Sequence, residues 1–504
     1  MDFVTQHSYW RDTANTTVAS YAPLAAPRHF EVAIVGAGIT GLTAAMHLKR
    51  AGRQVAVFEA GEVGAGTSSG TSAHLDVMPD QGVVTLIKDI GEEAAALITR
   101  ARIEAIDQIE SWCRELAMDC DFQRIPARFY TEDPQAVNSL KQEYEAARKL
   151  GLSLHLGNSA GLPFPTFAAL VVANQARFHA ENYLEGLAQA IHGENATIYA
   201  HTPVQSPEGG PTCKLIAGGH EVTADHLILA THSAFLGISQ FDLRQAPYQS
   251  YCVAVRVRDE VPDALFWDDE APYHYTRRAS SDDPHLLIIG GADHKTGQAN
   301  ERDQIAQLKQ YVSQRYAVEQ FEQEWSAEFF EPEDGVPYIG QVPLLKNVYL
   351  ATGFSGTGLT FGTAAGKILS DTILGRANTY SKPFSPSRMK LLASAKDFVK
   401  ENVNAAVHFV ADRFSGEKVE SAEVVQPGEG RLLEIDGQAC AVYRDESGQL
   451  HQMSPVCTHA GCFVHWNNLE QTWDCPCHGG RYSCTGQRIY GPPPHDLKRM
   501  DSES

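Results

Sequence analysis

The sequence predicts an α/β domain whose halves lie far apart in the chain, an antiparallel-sheet domain interleaved with it, and a small all-β domain at the C-terminus. Three observations carry this. Residues 30–59 read as strand, glycine-punctuated turn, helix and strand. Residues 347–374 repeat a strand, a glycine-rich turn and a helix start some three hundred residues later. From Ala422 onward the pattern changes to short strands and turns that hold Cys440, Cys457, Cys462, Cys475, Cys477 and Cys484 of the ten cysteines.

Residues 1–28 are polar, with Tyr9, Trp10, Tyr21, Pro23 and Pro27, and read as an extended arm on the body. The apolar, β-branched run that follows enters a turn with glycines at 36, 38 and 41. Leu42, Ala45, Met46 and Leu48 then recur at helical spacing, and Val55-Ala-Val-Phe ends in Glu59. This is the context a dinucleotide fingerprint requires. Gly36 permits the tight turn, Gly38 lets the backbone approach a pyrophosphate, and Gly41 lets helix and strand pack closely. The helix N-terminus faces the phosphates, and Glu59 is placed to accept the ribose hydroxyls of an adenosine. The small residues of 61–74 let a loop lie close to such a cofactor.

Helical periodicity at 92–118 and 134–150 predicts a packed helix pair, and 180–191 and 300–320 predict two further helices. Short strands are expected at 196–200, 221–222 and 227–230, and aromatic strand-like segments at 266–267, 273–275 and 286–290. The periodicity of 384–414 reads as a long helix, and 415–421 as a polar linker.

The chain has 504 residues, 43% of them apolar and 20% charged, as in a multi-domain globular protein. Its net charge of −21 argues against nucleic acid or an anionic membrane as partner. No basic N-terminal leader and no apolar run of spanning length is visible, so a cytoplasmic location is expected.

The motifs of the first two thirds support a resemblance. Gly36, Gly38, Gly41 and Glu59, then Ala230-Thr231, then Asp334-Gly-Val-Pro-Tyr-Ile-Gly340 and Gly353-Phe-Ser-Gly-Thr-Gly358, resemble the D-amino acid oxidase superfamily of FAD-dependent oxidoreductases, which includes glycine and sarcosine oxidases. The resemblance covers 30–375. It implies an FAD-binding (Rossmann-type) domain interleaved with an antiparallel-sheet substrate domain over 29–380. The cofactor contacts it implies are Gly36, Gly38, Ile39, Thr40, Gly41, Glu59, Ala60, Gly66, Thr67, Val204, Thr231, Gly356, Thr357 and Gly358. It further implies a substrate with a C–N bond, oxidised by hydride transfer to the flavin. Relatives with covalent flavin place a Cys or His at the attachment point. No Cys lies near 353–358 and His74 is out of register, which favours non-covalent FAD.

The C-terminal pattern is Cys457-x-His459, fifteen residues, then Cys475-x-x-His478. Two thiolates and two imidazoles suit either tetrahedral zinc or a Rieske [2Fe–2S] cluster, which takes both thiolates on one iron and both imidazoles on the other. Three features favour iron–sulfur: the short Cys-x-His step, an extra cysteine in each loop, and the proline-rich loop at 491–494. Residues 420–500 resemble the Rieske family. The resemblance implies that Cys462 and Cys477 pair across the cluster, a bond that cytosolic reductants oppose. It implies that Tyr482 donates to a cysteine sulfur. Gly480 stands where respiratory Rieske proteins have a serine that donates to a cluster sulfur, so a potential in the middle or lower part of the range of about −150 to +300 mV is expected. A helical connector over 381–421 would join this domain, 422–504, to the rest.

A two-electron flavin fused to a one-electron cluster predicts a dehydrogenase that oxidises a small amine or amino acid and passes electrons singly to an external acceptor. Two alternatives stand beside it: a non-catalytic electron carrier or redox sensor, and an O₂-using oxidase with a structural Rieske domain. Amino-acid oxidases hold the substrate carboxylate with an arginine and often a tyrosine. The candidates are Arg124, Arg128, Tyr273, Tyr275, Arg277 and Arg278, of which 277–278 read equally as a solvated pair, while 293–295 read first as a polar strand end and second as a stretch that reaches the flavin face. The sequence singles out no catalytic base.

Overall fold

The structure, a computed structural model, describes residues 8–15, 19–236, 239–388 and 417–500. The strand Arg28–Val35 lies inside an eight-stranded sheet because its Val32, Ala33 and Ile34 are apolar on both faces, and all three are fully buried. It pairs in parallel with Val55–Phe58 on one side and His220–Leu229 on the other. Ala196–Tyr199 and Val348–Thr352 extend the parallel order outward, and Tyr338–Gln341 adds an antiparallel edge. A hairpin of Val204–Glu208 and Cys213–Ala217 joins on His220–Leu229. That last strand replaces the two short ones expected at 221–222 and 227–230. Its polar Thr223 and Asp225 alternate with buried Val222 and Ala224, so they interrupt the apolar run without ending the strand.

The helices Ile39–Arg50, Ala180–Ile191 and Gly358–Ile373 pack together beside this sheet. The first is locked to its strand through glycine. A Cβ at Gly41 would lie 1.9 Å from the Gly36 carbonyl oxygen, and one at Gly36 (φ +102°) would lie 2.4 Å from the Ala230 carbonyl oxygen.

The second sheet has nine strands, built on Gln245–Val257, which pairs antiparallel with both Leu286–Lys295 and Val318–Pro332. Tyr275–Arg278, Leu265–Trp267, Gln123–Thr131, Ala168–Arg177 and His74–Leu75 continue it in that order, with one parallel pairing between Leu265–Trp267 and Gln123–Thr131. Leu154–Gly157 pairs with Ala168–Arg177 off this path. The helices Glu92–Glu115 and Val137–Lys149 do not form the expected pair. Val83–Ile90 packs on both of them, and the long helix packs on Gly358–Ile373. The cause is the apolar stripe of 83–90, which the sequence reading passed over.

Tyr9–Asp12 forms one helical turn whose Trp10 is fully buried and donates its indole N–H to the Thr71 carbonyl at 2.6 Å. The expected helix at 384–414 falls, from residue 389 onward, outside the described residues; Ser381–Phe384 is a single turn. Residues 417–500 form two four-stranded sheets, one of Glu417–Lys418, Gly430–Ile435, Gln438–Arg444 and Leu450–Met453, the other of His465–Asn467, Thr472–Asp474, Arg481–Ser483 and Arg488–Tyr490. The fold is therefore the α/β domain with an interleaved, mostly antiparallel sheet and a C-terminal all-β domain. No helix among the described residues is long and apolar enough to cross a membrane.

Candidate functional site

A cavity of about 1040 Å³ runs from the tips of the parallel strands to the second sheet and on to the C-terminal domain. Of the cofactor contacts expected from sequence, Gly36, Gly38, Ile39, Thr40, Glu59, Ala60, Gly66, Thr67, Val204, Thr231, Gly356, Thr357 and Gly358 line it. Gly41 does not; it lies one turn along, against Gly36.

The cavity fits a dinucleotide on its own chemistry. The helix Ile39–Arg50 opens on Gly38, which has no side chain to cap it, leaving the first-turn N–H groups beyond Ile39 for an anion. The Ile39 N–H reaches Ser68 Oγ at 3.2 Å. Glu59 accepts the N–H groups of Ala37 (2.8 Å) and Gly61 (3.0 Å) on separate oxygens, so each oxygen keeps a lone pair for a hydroxyl donor. Burial pushes its pKa up, against those backbone bonds. The helix Gly358–Ile373 is likewise uncapped at Thr357. The Gly356 N–H is already taken, by Asp80 Oδ2 at 2.8 Å.

His74 lines the same cavity. Burial and the nearby Arg277 depress its pKa to about 3, so it is neutral. Its Nδ1 lies 3.0 Å from Ser72 Oγ, and its Nε2 has no partner. No cysteine is found among the described residues that line the cavity.

The arginines expected to hold a substrate carboxylate do not reach the cavity. Arg124 pairs with Glu110 and Asp107. Arg128 donates to the Ala160 carbonyl and Arg278 to the Val261 carbonyl. Arg277 is fully buried and donates to the carbonyls of Ala73 (2.7 Å), Phe178 (3.1 Å) and Ala279 (3.1 Å). These arginines staple strands and loops together, which the sequence does not distinguish from ligand binding. Tyr273, Tyr275 and Asp293 do line the cavity. His294 points the other way, with Nε2 2.8 Å from the Tyr251 hydroxyl.

In the C-terminal domain, Cys457 and His459 stand on the loop after Leu450–Met453, and Cys475 and His478 on the loop between Thr472–Asp474 and Arg481–Ser483. Both thiols are buried. The two imidazoles sit 5.0 Å apart at 85°. Both ring nitrogens of His459 and Nδ1 of His478 are shut off from solvent with no hydrogen-bond partner, as ligands to a metal centre would be. Cys462 and Cys477 are joined by a disulfide. The Tyr482 hydroxyl lies 3.2 Å from Cys457 Sγ, as the resemblance implied. A Cβ at Gly480 would lie 3.4 Å from that sulfur but 2.5 Å from Pro493 Cγ, so the proline loop fills the place a serine side chain would use.

The two sites meet. His459 Nε2 lies 3.6 Å from Asp242 Oδ2, and its side chain is 2% exposed, so the imidazole edge faces the flavin-binding body. Arg488 donates to the Val204 carbonyl at 3.0 Å, and Arg488, Tyr490 and Gly491 line the cavity. Tyr490 meets His232 edge-on at 5.8 Å, next to Thr231. Arg481 is buried among Asp474, Glu470 and Gln249. Glu328, 1% exposed at this junction, is pushed up to about 8 by burial, against the pull of Arg481, and is protonated at neutral pH. Asp80, Asp242, Glu328 and Tyr490 carry no motif, and only the last, beside the proline loop, had a sequence signal.

Residues 31–372 match the family model described as FAD dependent oxidoreductase, and 417–501 match the Rieske [2Fe-2S] domain model. The Bacillus subtilis protein YhfW, named for a Rieske 2Fe-2S iron-sulfur centre, is 31% identical over 98% of this chain and 97% of its own length. The gamma-glutamylputrescine oxidoreductase of Escherichia coli is 23% identical over 75% of this chain and 91% of its own. Among solved structures, glycine oxidase from Geobacillus kaustophilus superposes with a TM-score of 0.62 at 19% identity, covering 72% of this chain and all of that one.

Proposed function

The chain belongs to the FAD-dependent oxidoreductase family, as an enzyme that uses FAD and a Rieske [2Fe–2S] cluster, and from that premise we propose that it is an amine or amino-acid dehydrogenase whose electrons leave through the cluster. FAD supplies the two-electron acceptor for the carbon next to nitrogen, and the cluster supplies a one-electron exit. The residues prepare that chemistry. Gly38, Thr40 and Glu59 would hold the dinucleotide, and the second sheet would close the other end of the cavity around the substrate. Cys457, His459, Cys475 and His478 hold the cluster, and Tyr482 donates to Cys457.

The observation that supports this reading most is the shared wall. The domain that carries the cluster lines the flavin cavity with Tyr490 and Gly491, and its His459 is turned toward that body. A Rieske domain kept only for structure has no need to bring its ligand face inward. Steady-state assays with a one-electron dye test the proposal. His459→Ala should abolish dye reduction by substrate, while the substrate still bleaches the flavin under anaerobic conditions. Hydrogen peroxide formed by His459→Ala at the wild-type turnover rate would instead support an oxidase with a structural cluster domain.

A further inference from the structure

The cavity end that meets the second sheet is acidic and aromatic, and its shape comes from a break in that sheet. Between Gln245–Val257 and Leu286–Lys295 the register passes from Gln249↔His294 to Tyr251↔Gly291. Ala292 and Asp293 therefore oppose Ser250 alone, and Ala292 takes a left-handed φ of +58°. Such a bulge re-aims a side chain at some backbone cost. Here it turns Asp293 into the cavity, with Oδ1 shut off from solvent and without a hydrogen-bond partner.

What surrounds Asp293 is neutral or acidic. The Tyr275 hydroxyl lies 3.0 Å from Ser250 Oγ and 3.3 Å from Cys252 Sγ. The Tyr273 ring lies 5.9 Å from that of Tyr275, and a Cβ on Gly356 would sit 2.6 Å from the Tyr273 hydroxyl. Asp80 stands on the same glycine turn. Trp267 and Phe129 stack at 5.9 Å to form an apolar wall. Among the described lining residues the only arginines are Arg481 and Arg488, and there is no lysine. Arg481 is held by Asp474 and Glu470, and Arg488 by the carbonyls of Val204 and Pro493.

An α-amino acid brings a carboxylate next to the carbon that is oxidised. Burying that carboxylate beside Asp293 is unfavourable, because Arg102, the cation that offsets Asp80, does not line the cavity. An ammonium ion meets the opposite situation: a carboxylate with an unpartnered oxygen, in a wall that also holds Tyr273 and Tyr275 and no free cation among the described lining residues. We infer that the substrate is an alkylamine, bound as its ammonium ion at Asp293, with no carboxylate on the carbon to be oxidised. This rests on the amine or amino-acid reading above and selects between its two halves. Asp293 also has a chemical use. The ammonium N–H gives its proton to Asp293 Oδ1, which becomes a neutral acid, and the amine is left with the lone pair that oxidation of the adjacent C–H needs. Burial pushes the Asp293 carboxyl up to about 7, against a hydrogen bond from Ser250, with Asp80 raising it further and His274 lowering it. The other titratable groups facing it are Tyr273, Tyr275 and Cys252.

The test uses two probes that differ by one group and have no hydrogen on the carbon beside nitrogen, so neither can be oxidised. They are tert-butylamine and 2-aminoisobutyrate, titrated into the oxidised holoprotein by calorimetry and by perturbation of flavin absorbance. tert-Butylammonium should bind at least about tenfold more tightly than 2-aminoisobutyrate, a difference of about 1.4 kcal/mol. Asp293→Asn should weaken it by a similar factor, and Asp293→Glu by less, with flavin and cluster absorbance intact. Binding to the wild type should tighten as pH rises through about 7, and binding to Asp293→Asn should not. The inference is overturned if 2-aminoisobutyrate binds as tightly, if tert-butylammonium does not bind, or if Asp293→Asn leaves its affinity unchanged. The two readings fail separately. Binding of tert-butylammonium to a protein whose flavin no amine bleaches would remove the dehydrogenase and leave the ammonium site; bleaching by α-amino acids with tight 2-aminoisobutyrate binding would do the reverse.

Discussion

The four candidate cluster ligands stand within residues 457–478, on two loops of one small domain, whereas the cavity is walled by segments from Val35 to Gly491. In the first case the chemistry and the chain positions coincide. In the second, strand pairing and a bulge bring the walls together, and no local pattern records the result. The difference has an energetic side. A cluster site stands or falls with each ligand, because its binding energy is concentrated in four bonds. The cavity spreads its contacts over many backbone groups and tolerates the loss of most single side chains.

The largest effect expected follows from that contrast. Cys475→Ser should lose the cluster outright, read as loss of iron and of the long-wavelength absorbance, while FAD stays bound. Loss of FAD in the same variant would break the comparison. Next is a point where the shape of the cavity depends on a single position. Gly41→Val places atoms where a Cβ alone already lies 1.9 Å from the Gly36 carbonyl oxygen. The expected cost is about 3 kcal/mol or more, and the purified protein should be FAD-poor yet retain its cluster signal.

Tyr482→Phe sharpens the cluster half. The hydroxyl at 3.2 Å from Cys457 Sγ stabilises the electron-rich reduced form. One such bond is worth about 1 kcal/mol, so the midpoint potential should fall by about 40 mV for a one-electron couple. Redox titration monitored by circular dichroism reads this directly. Gly480→Ser is a less clean probe than the sequence suggests, because Pro493 occupies the space.

The smallest effect lies at the junction. A carboxyl held near 8 in the folded protein binds a proton that the unfolded chain releases near its ordinary value. Between those two values the folded state holds more protons, so this group's contribution to stability declines as pH rises toward about 8. Glu328→Gln removes that slope. Its melting temperature should exceed the wild type's by more at pH 8 than at pH 5, by a few degrees at most.

How much was legible follows the same division. The motif of Cys457, His459, Cys475 and His478 is visible in the sequence, and the contact of Tyr482 with Cys457 follows the family likeness. The glycine turn was legible because glycine is required there for reasons the backbone imposes, and the structure gives those reasons at Gly36 and Gly41. The substrate end was not. Arg277 and Arg278 look like ligand-binding cations in sequence and prove to be staples for backbone carbonyls. Asp293 looked like a polar strand end, and only the register slip opposite Ser250 shows why it faces the cavity while His294 does not. Asp242 and Glu328 meet His459 and Gly479 only because the C-terminal domain packs on the body, which no local pattern in the sequence records.

The central claim is that electrons taken from an amine reach the cluster. Anaerobic rapid mixing of the oxidised protein with substrate, followed by absorbance and by freeze-quench electron paramagnetic resonance, tests it most directly. Flavin should bleach first, followed by a reduced Rieske signal that grows at least as fast as turnover and is absent in His459→Ala. A flavin that bleaches fully while the cluster stays oxidised through many turnovers would contradict it.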